Sequence, residues 1–461
     1  MTKNTLLGLG ICTLLAMASC SHRHHPNEQE RWGDSKRIAP KALLRNGPML
    51  GYVDMCEVLI WAQTDSRASV CVEYAEVGDT SGRKYRTDLI FTRPESAYTA
   101  KCIANQVQPG KTYNYQLIIN EKPVVLPYPT TFKTQALWQW RTDPPAFTLA
   151  TGSCAYINET PYDRPGTPYG SDYQIFTSIA KQKPDVMLWL GDNVYYREPD
   201  WNTRTGMVHR YTHDRATPEL QPLLASTAQY AIWDDHDFGP NDSDRGFSLK
   251  NMTSEAFRLF WGNPNYIFEG ACTGTFEWGD AQFFLLDDRW FRAPNDRNDD
   301  RTYFGKAQIQ WLIDALVFSK ANFKFIVTGG QIINAASLFE NYAVFAEERN
   351  YLLQRIADEK ISGVIFLTGD RHHTILHRLN RFGTYPLYDF TVSPLTSGPG
   401  KPNDKEKITD TFVEGTSVEN KRNFSTFEIS GKADNRVLKV SIFDSKGIEQ
   451  WQREIKASDL K

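Results

Sequence analysis

From about residue 145 to 458 the sequence predicts an α/β fold of buried strands alternating with helices. Before it, from about 45 to 136, it predicts a small antiparallel β-sandwich of the immunoglobulin or fibronectin type. Three observations carry this. Short apolar runs such as 186–190 and 323–328 recur between segments of helical periodicity, the texture of a sheet covered by helices. Segments 56–62, 68–74 and 112–117 show partial or clean apolar/polar alternation, with Pro109-Gly110 as a turn signal. Several apolar runs from 147 onward stop at residues able to bind a metal, at the rim where open α/β sheets place their ligands.

The strands and helices follow in order. Residues 147–151 form a strand ending Gly152-Ser153-Cys154, and Ser171 is placed to cap a helix carrying Ile175, Phe176, Ile179 and Ala180, stopped before Pro184. The 186–190 run is a strand buried on both faces; Gly191 turns the chain sharply and delivers Asp192, with Tyr195 three residues on. Residues 229–233 lead to Asp234-Asp235-His236-Asp237, and 281–286 to Asp287-Asp288-Arg289. A helix runs through Gln308, Trp311, Leu312 and Leu316, followed by a strand at 323–328 ending Gly329-Gly330-Gln331. A helix at 347–357 precedes a strand at 364–368 ending Gly369-Asp370-Arg371-His372-His373, and strands at 424–429 and 437–443 close the chain.

At 461 residues the chain has room for two cores, since single cores seldom exceed about 250–300 residues. With 41% hydrophobic and 23% charged residues it has the composition of a soluble globular protein. A formal net charge of −3 and scattered Lys and Arg argue against a nucleic-acid-binding surface, so nucleic acid could enter only as a substrate. No obligate protein partner is evident. Residues 1–19 read as an export signal of the lipoprotein type: Lys3, an apolar core at 6–17, then Ala18-Ser19-Cys20. Cys20 is then the lipidated first residue of the mature chain, and 20–44 a polar tether containing His22, His24 and His25. This predicts a protein exported to the periplasm or cell surface and held to a membrane by its anchor; a plain secretory signal with an incidental Cys20 is the alternative. The seven cysteines, irregularly spaced, give no disulfide framework.

Five strand ends therefore offer Cys154, Asp192, Asp235 with His236, Gln331, and Asp370 with His372. Asp192 with Tyr195, taken alone, reads first as a turn leaving a strand, whereas an apolar strand delivering Asp370 and His372 argues against plain surface residues; together the five predict one shared rim site. Three carboxylates within Asp234–Asp237 repel one another unless a cation or an arginine neutralises them. A carboxylate with a phenolate suits a strongly Lewis-acidic cation such as Fe3+.

This set resembles the alkaline phosphatase D (PhoD-like) family of the calcineurin-like metallophosphoesterases. The blocks that carry the likeness are Gly191-Asp192, Asp235-His236-Asp237 and Gly369-Asp370-Arg371-His372, with Cys154, Tyr195, residues 286–292 and 305–312 as further marks. The resemblance implies a four-layer α/β/β/α sandwich that hydrolyses phosphate esters, mono- or diesters, by a metal-activated water. It implies Fe3+ held by Cys154, Asp192, Tyr195 and Asp370, and one or more Ca2+ ions held by Asp192, Asp235, Gln331 and His372. The substrate is then a small phosphate ester. His236 is the candidate to orient phosphate or protonate the leaving group; Arg371, Arg289 and Arg197 are candidates for phosphate oxygens, or else partners in ordinary salt bridges. The chain departs from the family pattern in lacking a twin-arginine signal and in carrying Asp237 where glutamate is commoner, so Asp237 or Asn241 could complete the calcium shell. A reading from a different class is a catalytically silent surface lipoprotein that binds glycan or protein through its sandwich domain and aromatic cleft.

Overall fold

Strands whose every residue is buried set the frame: Val186–Leu190, Ala228–Ile232, Phe323–Val327 and Val364–Thr368. Such strands need cover on both faces. The computed structural model, which describes residues 43–163 and 165–461, supplies it with two six-stranded sheets. One runs in the order Ala228–Ile232, Val186–Leu190, Phe147–Gly152, Asn423–Ser430, Val437–Asp444, Glu449–Lys456. Its first three strands are parallel and the last three antiparallel, with Leu149 between Val186 and Phe427. The other runs Gly274–Trp278, Ala281–Leu285, Phe323–Val327, Val364–Thr368, Leu387–Thr391, Ile375–Leu379.

The period-two alternation of side chains decides which face each aromatic takes. Phe325 and Phe390 meet Phe427 of the other sheet edge-on, with ring centroids 6.0 and 5.4 Å apart. On the outer faces Phe284 meets Trp311 of helix Lys306–Phe318 at 6.4 Å, and Trp189 meets Phe176 of helix Gln174–Lys181 at 6.0 Å. Helices thus cover the outer faces of a mixed α/β fold. The strand ends of the two sheets also meet: a Cβ on Gly369 would lie 2.8 Å from Leu190 O.

Residues 44–133 form a three-stranded antiparallel sheet (Leu44–Val53, Val58–Thr64, Thr99–Ala104) and a six-stranded one centred on Ser69–Glu76 and Thr112–Ile119. With the rest of Ala42–Lys461 they make one compact unit. Trp61 Nε1 donates to Leu259 O at 2.8 Å and Tyr115 OH to Ala225 O at 2.7 Å, both across to the α/β part.

Two details differ from expectation. Helix Gln174–Lys181 is not capped by Ser171; its N-cap is Tyr173, in the left-handed region at φ 61°, and Ser171 Oγ accepts only from Tyr173 N–H at 3.3 Å. Helix Arg204–Arg215 was not expected because it carries no apolar stripe: Arg210, Asp214 and Arg215 are buried on it through ion pairs and aromatic contact. The signal, Cys20 and most of the tether lie outside the described residues. Within the described residues, Cys56, Cys71, Cys102, Cys154 and Cys272 are free thiols.

Candidate metal centre

Gly191, at φ +91°, follows the Val186–Leu190 strand; a Cβ there would fall 2.6 Å from Asp234 Cβ, so only glycine lets the two strand ends close. Asp192 comes next, itself left-handed at φ 52°. Cys154, Asp370 and His372 share that conformation, at φ 60°, 64° and 55°. For residues with a Cβ it costs roughly 1–2 kcal/mol each, strain that folded proteins concentrate at functional sites.

The side chains converge. Tyr195 OH donates to Asp192 Oδ2 at 3.0 Å and lies 3.4 Å from His372 Nε2. Cys154 Sγ sits 3.5 Å from Asp192 Oδ2, donates to Asp370 O at 3.6 Å and accepts from Ser393 Oγ at 3.1 Å. Three donor groups result, each with ligand atoms within 4.8 Å of one another: Cys154, Asp192 and His372; Asp192, Asp235 and His236; Asp235, Asp242 and Glu340. Asp192 belongs to the first two and Asp235 to the last two. All residues of the three groups but Cys154 line a cavity of ≈ 570 Å³, which Asp370 and Arg371 also reach.

Such a cluster of acids is costly without a cation. Burial, then the charges of Asp235 and Cys154, raise the Asp192 carboxyl well above the usual range. Burial and the Asp370 charge push the Cys154 thiol up to about 12. Burial, then Asp192 and Cys154, likewise raise the Tyr195 phenol. Burial also works against ionised Asp235, but His236 and Arg289 outweigh it and hold that carboxyl at about 2. A multivalent cation reverses the direction for the first three, since it favours thiolate, phenolate and carboxylate alike. His372 Nδ1 lies 2.7 Å from Gly398 O, an atom that only accepts, so Nδ1 carries the proton and Nε2 turns its lone pair inward. The donor set fits a metal pair.

Some expected residues stand elsewhere. Gln331 is not brought into the cluster: its Nε2 donates to Thr391 Oγ1 at 2.9 Å and its Oε1 accepts from Asn334 Nδ2 at 2.8 Å. Arg289 is fully buried, its Nε 2.6 Å from Asp234 Oδ1 and its Nη1 2.8 Å from Glu340 Oε2, so it holds the wall and does not reach a substrate. Arg197 is likewise structural, bound to Asp163 at 2.9 Å and stacked over Tyr156. Asp237 faces away from the cavity and accepts from the backbone N–H groups of Asn193, Val194 and Asp234. Asn241 lines the cavity, and its neighbour Asp242 brings the carboxylate that joins Asp235. Arg371 is held by Glu406 at 3.0 Å, and its Nε is buried without a partner. His236 stacks on Tyr195, with ring centroids 4.2 Å apart.

Asp242, Glu340, Ser393 and Tyr169 were not anticipated. None follows directly from a buried strand, the signal on which the sequence reading relied; Tyr169 OH lies 3.1 Å from His372 Nδ1.

Comparison with known proteins agrees with this geometry. The family of PhoD-like phosphatases matches residues 149–437, and a domain of unknown function (DUF7800) matches residues 41–137. Alkaline phosphatase D of Bacillus subtilis (strain 168) is 24% identical over 412 residues, 75% of this chain and 66% of that protein. A solved structure of PhoD superposes with a TM-score of 0.69 at 18% identity, covering 88% of this chain and 91% of that one. Purple acid phosphatase PPD1 from yellow lupin (Lupinus luteus) seeds superposes at 0.65 with 11% identity, covering 89% and 74%. With more than half of its length matched, the chain belongs to the PhoD-like phosphatase family, a family of phosphoesterases.

Proposed function

We propose that this chain is an exported, lipid-anchored metallophosphoesterase that hydrolyses phosphate mono- or diesters. The observation that carries the reading is the place of Asp192, one carboxylate shared by a thiol–phenol–imidazole set and a carboxylate–imidazole set. Cys154, Tyr195 and Asp192, with Asp370 beside them, suit Fe3+; Asp192, Asp235 and Asp242 suit Ca2+. Cations held there would polarise the phosphoryl oxygens and activate a water for attack.

The remaining steps belong to the chain's own groups. Gly398 and Tyr169 hold the His372 ring so that Nε2 faces Tyr195, and Ser393 hydrogen-bonds the Cys154 sulfur. His236 faces the cavity with a pKa lowered by burial, so near neutral pH it offers one N–H and one lone pair to a phosphoryl or leaving oxygen. Arg371 lines the same cavity, its guanidinium held by Glu406. The amino-terminal sheets, which we read as a sandwich domain, brace the α/β part and bring no donor to the cluster.

Metal analysis of the purified protein and assay on aryl phosphate mono- and diesters test this. The expected result is stoichiometric iron, turnover of at least one ester, and loss of both in Asp192→Ala. A metal-free protein that stays inactive with every added metal overturns it. Cys20→Ser should release the protein from the membrane fraction; an unchanged distribution overturns the anchor.

A further inference from the structure

Phe339 stands at the cavity of the metal centre with 63% of its surface exposed, unlike the aromatic residues of the core. Its backbone is left-handed, at φ 50°, a conformation a phenylalanine rarely adopts without external support. That support is visible on both sides. The next residue, Glu340, turns inward to the buried Arg289 and Arg292, 2.8 Å from each. The Arg371 guanidinium lies over the ring, 4.2 Å from its centroid, and is itself held by Glu406. An exposed phenyl ring backed on one face by a fixed cation, and open on the cavity side, is a stacking surface. Arg371 ties that surface to the reacting end, since it follows Asp370 in the chain and lines the same cavity.

We infer that Phe339, backed by Arg371, is the specificity platform of this site, stacking on a flat aromatic ring, aryl or nucleobase, carried by the phosphoester. This rests on the phosphoesterase reading and adds the substrate class. An alkyl or polyol ester would leave the ring in water; an aromatic one covers it.

The test is equilibrium binding of two phosphonates, which cannot be hydrolysed at the carbon–phosphorus bond, to the metal-loaded protein. Phenylphosphonate should bind about ten-fold more tightly than methylphosphonate, the scale of one aromatic stack. The ratio should fall toward one in Phe339→Ala and persist in Phe339→Tyr. The isosteric phosphonate of adenosine 5′-monophosphate, titrated in parallel, tells a nucleobase site from one that takes only small aryl groups; either supports the platform. Equal affinities in the parent, or a ratio unchanged by Phe339→Ala, overturn it. Failure of the phosphoesterase reading shows separately, as absent turnover of every ester.

Discussion

The ring of Tyr195 lies on that of His236, inclined at 33°, while its hydroxyl reaches 3.0 Å to Asp192 Oδ2. One side chain therefore fixes the candidate acid–base histidine by its face and the shared carboxylate by its oxygen. Tyr195→Phe keeps the stack and removes the oxygen. The variant should fold with nearly unchanged melting temperature and lose any visible absorption band that arises from a phenolate on ferric iron. Its kcat should fall by about 10²-fold, the scale of losing one preorganised group. Absorption spectra and single-substrate kinetics check this.

Burial, then the charges of Asp235, Cys154, Asp237 and Asp370, oppose the ionised form of Asp192, so without metal it is a liability to the fold. In the presence of chelator, Asp192→Asn should melt at or above the parent's temperature. With metal added the order should reverse, because only the parent gains by binding; a ligand at 100 times its Kd adds about 2.7 kcal/mol. Calorimetry with and without chelator gives both orders.

Arg289 joins the buried Asp234 and Asp288 to Glu340 at the cavity wall. Removing it in Arg289→Met leaves Asp234 buried without its cation, a loss of about 3–5 kcal/mol. Arg289→Lys should recover little, since one ammonium cannot serve groups on opposite sides of a planar fork. Urea unfolding of the two variants measures this.

His213 Nδ1 lies 2.7 Å from Asp214 Oδ1, and this hydrogen bond raises its pKa against partial burial; the Asp214 and Glu159 charges add to the rise and Arg210 opposes it. The folded state therefore holds the proton more tightly than the unfolded chain. The resulting stability is complete below the ordinary histidine pKa of about 6.5 and is lost as pH rises through the higher folded value. His213→Gln should flatten that part of the stability–pH curve and leave catalysis at a fixed pH near the parent's. Thermal melts across the range from acid to mildly alkaline pH check the slope.

Much of the site could be read in the sequence because a fully buried strand fixes where it ends. Asp192 and Asp235 follow such strands and Cys154 one buried at all but Thr148, and the fold brings them together. Gln331 shows the limit of that reasoning: it too follows a buried strand, yet its side chain turns to Thr391 and Asn334. A strand end places a Cα; hydrogen-bonding competition decides the rotamer. Glu340 and Asp242 come from irregular segments whose path depends on partners far away in the chain, such as Arg292, and no local pattern announces them. The arginines divide in the same way. Arg197 and Arg289 are consumed by aspartates near them in space, and of the three Arg371 alone lines the cavity, held there by Glu406.

Gly329, like Gly191, abuts Asp234: a Cβ at 329 would collide with its carboxyl group. Three positions far apart in the chain, 191, 234 and 329, thus occupy a space that holds one side chain, and Arg289 supplies its counter-charge. Any mutational path that enlarges either glycine must first shrink residue 234, and doing so strands the arginine. The route is closed in both directions to single steps, so libraries that vary one of these codons at a time should return only the parent residue, whereas joint randomisation of all four should recover alternatives.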